Sequence, residues 1–178
     1  MKQLTLAGHP VHPQVISGPT ALFPFTMVMD LMHVATGKKS YADAAYYSLV
    51  GGLATGVVSA VTGAADYLTI SPGGEMKRMA NTHALLNLGL MAVETANLAA
   101  RRRRSSGTLP AALSMLGTVG VIVSAWYGGA LVYKFGMRVK PATEKPQPEA
   151  KLPGDRAVER GLKRMASYAP AGGPGSEE

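Results

Sequence analysis

The 178-residue chain has no cysteine. That excludes disulfides, thiolate metal sites and cysteine-ligated iron–sulfur clusters, so a metal would have to be held by His, Asp, Glu, Met or Tyr. Charge is scarce too: 16% of residues are charged and 47% hydrophobic, yet mean hydropathy is only +0.09. Segregation reconciles these values. No Asp, Glu, Lys or Arg occurs between Gln3 and Met29, and the charges collect in loops and in the C-terminal tail. Nothing resembles a nucleophilic triad, a phosphate loop or a nucleic-acid motif, which leaves no catalytic residue to nominate and argues against an enzyme. The net charge of +7 therefore points to anionic lipid, with no nucleic acid as partner.

What is present is a series of four charge-poor runs. Val15 to Thr36 would be about 33 Å long as a helix, enough to cross a bilayer. Pro19 and Pro24 lie inside it, where neighbouring membrane helices can satisfy the freed carbonyls and turn a break into a kink. The run is too long, and its start too poor in Lys and Arg, for a cleaved signal peptide. After Gly37-Lys38-Lys39-Ser40, a second run reaches from Ala44 to Tyr67, with Gly52, Gly56, Ser59 and Gly63 forming a small-residue stripe that lets helices approach closely. The third, Thr82 to Ala100, is the weakest, because Glu94 interrupts it. The fourth, Leu109 to Tyr133, carries no charge, and its small face is Gly120, Ser124 and Gly128.

These runs predict an all-α fold, an integral membrane antiparallel four-helix bundle over residues 1–140, followed by a basic, disordered tail over 141–178. Within the tail, Asp155 to Ala169 reads as a short basic amphipathic helix that could lie on an anionic membrane surface. An even number of spans puts both termini on one face of the membrane. The lysines after the first run favour a cytoplasmic tetra-arginine loop on the other. The expected location is the cell membrane, multi-pass.

The polar residues within this frame fall into two layers. In Gly8-His9-Pro10-Val11-His12-Pro13 each histidine precedes proline, which favours extended or polyproline II geometry and would place both imidazoles on one side of the chain. His83 opens the third run and Asp66 closes the second, so His9, His12, Asp66 and His83 are expected at one end. Imidazoles on different elements ligate haem iron or Zn and Cu, and a carboxylate behind one ring fixes its orientation. The candidates are haem b or a His-bound metal held by His9, His12 and His83, with Asp66 orienting. At the other end Asp30 and Glu94 should share a depth, with His33 adjoining Asp30 on the same face. The structural alternatives are His83 donating to Asp66, Asp30 pairing with His33, and Glu94 reaching towards Arg101.

The motifs Gly8-His-Pro-Val-His-Pro13, Asp30-Leu-Met-His-Val-Ala-Thr-Gly37, Gly63-Ala-Ala-Asp-Tyr67, Thr82-His-Ala-Leu-Leu-Asn87 and Trp126-Tyr-Gly-Gly-Ala-Leu-Val-Tyr133 resemble those of the bacterial four-span membrane family called domain of unknown function 2231. The likeness covers Gly8 to about Val139. Some members of that family are joined to a Rieske-type iron–sulfur domain, so the resemblance implies a redox setting, which reaches this cysteine-free chain by analogy alone. Two functional classes follow. One is a haem- or metal-binding electron-transfer subunit with a membrane redox partner. The other is a non-catalytic scaffold that binds partner helices, further copies of itself and anionic lipid.

Overall fold

The computed structural model describes residues 5–7, 9–103, 107–137, 160, 163 and 164, with the side chains of 102 and 103 excepted. Its elements are β1 (Thr5–Leu6), β2 (His9–Pro10), α1 (Val11–Val15), α2 (Ser17–Thr36), α3 (Lys39–Tyr67), α4 (Gly74–Arg103) and α5 (Thr108–Tyr133). Four long helices make an all-α bundle. Helix α2 packs chiefly on α3, and α4 on α5, so the chain is two helical hairpins; α2 also packs on α5, and α3 on α4. The turn inside the first hairpin is short because Gly37 takes the left-handed conformation at φ 68°, where its N–H closes on His33 O at 2.8 Å.

The N-terminal hexapeptide departs from expectation. His9-Pro10 is extended and pairs antiparallel with Leu6 and Thr5. From Val11, however, the chain turns into helix α1. Pro13 sits in the first turn of that helix, where a missing N–H costs no intrahelical bond, so its preference for an extended predecessor is outweighed. His9 and His12 are therefore not two steps of one polyproline helix. The break in the first run falls at Ile16, placing Pro19 in the first turn of α2 and leaving Pro24 inside it.

Three helices extend beyond their expected limits. α3 begins at Lys39 instead of Ala44, α4 spans Gly74–Arg103 instead of Thr82–Ala100, and α5 begins at Thr108. Helix formation does not stop where apolarity stops. Lys39 and Asp43, one turn apart, meet at 2.7 Å and carry α3 past its apolar part.

Burial is distributed as in a lipid-solvated protein. The apolar core is small, built on Phe23, Leu49, Leu90 and Val121. Around it Thr26, Asp30, Glu94, Asn97 and Ser114 are buried, while Val57, Val61, Leu85, Leu116, Ile122 and Trp126 are exposed. A water-soluble bundle would reverse this; a bilayer makes apolar side chains cheap outside and leaves the interior to small and polar groups. The segments Val11–Thr36, Lys39–Tyr67 and Thr108–Tyr133 are long and apolar enough to cross a membrane. Helix α4 has the length, 30 residues, but is less apolar. Its His83, Asn87, Glu94 and Asn97 supply much of the interior's polarity.

Pro141–Glu178 forms a unit of its own, in which Arg160, Lys163 and Arg164 are helical and exposed. The rest of the expected tail helix lies outside the described residues.

Candidate functional site

One polar layer joins helices within each hairpin, and the other joins the two hairpins to each other. At the end formed by α1, the close of α3 and the start of α4, His12 Nδ1 is 3.0 Å from Ser59 O and 3.2 Å from Thr62 Oγ1. His83 Nδ1 is 3.0 Å from Ser124 O and 3.1 Å from Ser124 Oγ. A carbonyl can only accept, so both Nδ1 atoms donate, and a neutral ring then carries its lone pair on Nε2. The Asn87 amide nitrogen lies 3.2 Å from His83 Nε2 and 3.4 Å from Nδ1. Near-equal distances place it over the ring, off the in-plane direction of the Nε2 lone pair.

Each ring also lies on a glycine. A Cβ at Gly63 would be 2.9 Å from His12 Cε1, and one at Gly128 would be 3.0 Å from His83 Cε1. Any larger residue would displace the imidazole. His12 and His83 are within electrostatic reach of each other, and His12 of Asp66. Asp66 is buried at the close of α3, while His83 takes its orientation from Ser124 and Asn87, so α4 is pinned to α5. His9 is exposed on β2. Among the described residues, no group of three or more His, Cys, Asp or Glu side chains is arranged to hold a metal ion.

At the other end Asp30 and Glu94 are both buried. The guanidinium of Arg101 grips Asp30 with both terminal nitrogens, one at 2.8 Å, and Ser114 Oγ donates to the same carboxylate at 2.5 Å. Asn97 Nδ2 bridges Ser114 Oγ at 2.9 Å and Glu94 Oε2 at 3.1 Å. His33 Nδ1 bonds Lys38 O at 2.9 Å, because the chain folds back at Gly37 and offers an acceptor there, while Asp30 is held by Arg101 and Ser114. Glu94 does not hold Arg101, which Asp30 occupies from the neighbouring hairpin.

The two hairpins repeat each other. One constant offset in residue number carries His12, Phe23, Thr26 and Asp30 of the first onto His83, Glu94, Asn97 and Arg101 of the second. Another carries Gly52, Ser59 and Gly63 onto Gly117, Ser124 and Gly128. The contacts follow: Phe23 presses on Gly52 and Glu94 on Gly117, each histidine takes the carbonyl of the equivalent serine, and Thr26 bonds Ser48 as Asn97 bonds Ser114, one residue out of the second offset. Ser59, Ser124, Asn97 and Ser114 were not singled out by sequence reasoning as site residues. The signal that could have found them is Val58-Ser59-Ala60 followed by Gly63, repeated as Val123-Ser124-Ala125 followed by Gly128.

Helices with exposed apolar faces and a polar, small-residue interior define a multi-pass membrane protein. The family comparison agrees in kind and names the group: residues 8–141 match the model described as predicted membrane protein DUF2231, and the chain belongs to that family. No curated protein and no solved structure matches the chain.

Proposed function

We propose that the protein is a small membrane electron-transfer subunit that holds a cofactor between two imidazoles, His12 and His83. The observation that carries this reading is the duplicated clamp: two histidines, one from each hairpin, each fixed through Nδ1 to a serine carbonyl with Nε2 left as the unprotonated nitrogen. Orientation through the far ring nitrogen is how ligating histidines are generally prepared. The donor set suits two-imidazole ligation of haem b better than a bare metal site, since no third ligand accompanies the pair among the described residues. A haem held this way supplies one-electron transfer. Ser59, Ser124 and Asn87 keep the rings in place, Asp66 lends negative charge beside His12, and the apolar helix faces keep water away. His9 is then a residue of the lipid–water boundary and not a ligand.

On the same reading α4 crosses the membrane with the other three helices, its polar side chains turned inward, and the basic tail meets anionic lipid or a membrane redox partner. The test is the absorption spectrum of the full chain purified in detergent from haem-replete cells, reduced against oxidised. Paired haem bands lost in both His12→Ala and His83→Ala are expected. A spectrum without such bands, or one that persists in His83→Ala, overturns the redox reading and leaves a non-catalytic scaffold whose histidines only clamp helices.

A further inference from the structure

Among the described residues, the layer at the Arg101 end holds more carboxyl groups than guanidinium groups. Asp30 and Glu94 are two buried carboxyl groups, and Arg101 is the one guanidinium among the described residues that engages this layer, through Asp30. Both terminal nitrogens of Arg101 are engaged by Asp30. Glu94 is fully buried; its Oε2 has the Asn97 amide and its Oε1 has no donor among the described residues. Arg101 Nε is likewise buried without an acceptor. An unfilled acceptor and an unfilled donor thus lie on one helix, two turns apart.

Among the described residues no other ionisable group relieves the imbalance. Helix α2 contributes Asp30 alone, since His33 is taken up with Lys38 O. Helix α5 offers Ser114 and Gly117, neither ionisable. On α3 the nearest charges, Lys39 and Asp43, pair with each other at the exposed end. A buried carboxylate without a counter-charge costs several kcal/mol, so such a group takes up a proton.

We propose that Glu94 is a buried proton-binding site, neutral while Arg101 is committed to Asp30, with Arg101 Nε as the donor that receives its carboxylate when the proton leaves. In that step the carboxylic O–H bond breaks and the proton passes to water at the Arg101 end of the bundle. The guanidinium then shares its N–H groups between two carboxylates; nothing is oxidised or reduced. The ligand is the proton itself, and the response is a loosened grip between the hairpins, because Asp30 and Arg101 belong to different ones. This goes beyond the redox reading and stands whether or not a haem is bound.

The experiment is infrared spectroscopy of the full chain in lipid nanodiscs, with and without glutamate labelled in the carboxyl carbon. At neutral pH the wild type should show a protonated carboxylic-acid C=O band that shifts with the label and disappears in Glu94→Gln. In Asp30→Asn the freed Arg101 should pair with Glu94 and remove the same band. The labelled wild type decides the matter even if neither variant folds. No label-sensitive acid band at neutral pH overturns the proposal, as does a band that survives Glu94→Gln or persists in a folded Asp30→Asn protein.

Discussion

Substituting Gly128 by Ala adds one methyl group at the point where the structure has no room for it. The new Cβ would lie 3.0 Å from His83 Cε1, against an ordinary carbon–carbon contact of about 3.5–4.0 Å, so the ring must retreat by about half an ångström. Its Nδ1 bond to Ser124 O, now 3.0 Å, would open to about 3.5 Å and cease to be a hydrogen bond. Losing that bond costs about 0.5–1.5 kcal/mol and overpacking about 1–3 kcal/mol, so destabilisation of about 1.5–4.5 kcal/mol is expected. Gly63→Ala should cost a similar amount, because its Cβ meets His12 in the same way. Gly89 is the control: nothing lies within 4 Å of its added Cβ, and Gly89→Ala should stabilise by up to about 1 kcal/mol through helix propensity. Denaturant unfolding in mixed micelles reads all three. A double-mutant cycle with His83→Ala isolates the cause, since without the imidazole the Gly128 penalty should fall to near zero. If Gly128→Ala behaves like Gly89→Ala, or if its cost survives removal of the ring, the clamp is not what the glycine serves.

Because the chain has no cysteine of its own, single cysteines at Ser105 and Ser176 can report topology. Four crossings require the two to label from opposite sides of sealed vesicles, and equal labelling from one side would mean that α4 does not cross. Lys134 donates to Glu75 at 2.5 Å between the start of α4 and the residue after α5. That bond, then the Lys134 charge, holds the exposed Glu75 carboxyl below its usual range, with Arg78 adding to it. A carboxyl lowered on folding stabilises above its unfolded value, and the benefit is lost as pH falls through the folded one. The small difference in unfolding midpoint between wild type and Lys134→Ala should therefore be present at neutral pH and vanish in acid and in high salt. A difference that is unchanged at acidic pH would assign it to packing.

The charge-poor runs determined the helices, their number and the lipid-facing exterior, because apolar length and backbone satisfaction are properties that a segment carries alone. That Asp30 and Glu94 lie within helices was legible for the same reason, each following from its place along one run. Partnership was not. Whether Asp30 meets His33 or Arg101 depends on which helices become neighbours, and the two hairpins packing together decided for Arg101. His12 and His83 could be placed at one end from sequence. Only the folded structure showed that each reaches a serine carbonyl over a glycine, since a backbone carbonyl has no side-chain letter to mark it. The helix ends were misjudged where charge began, because hydrogen bonding along a helix continues past the apolar segment that the bilayer requires.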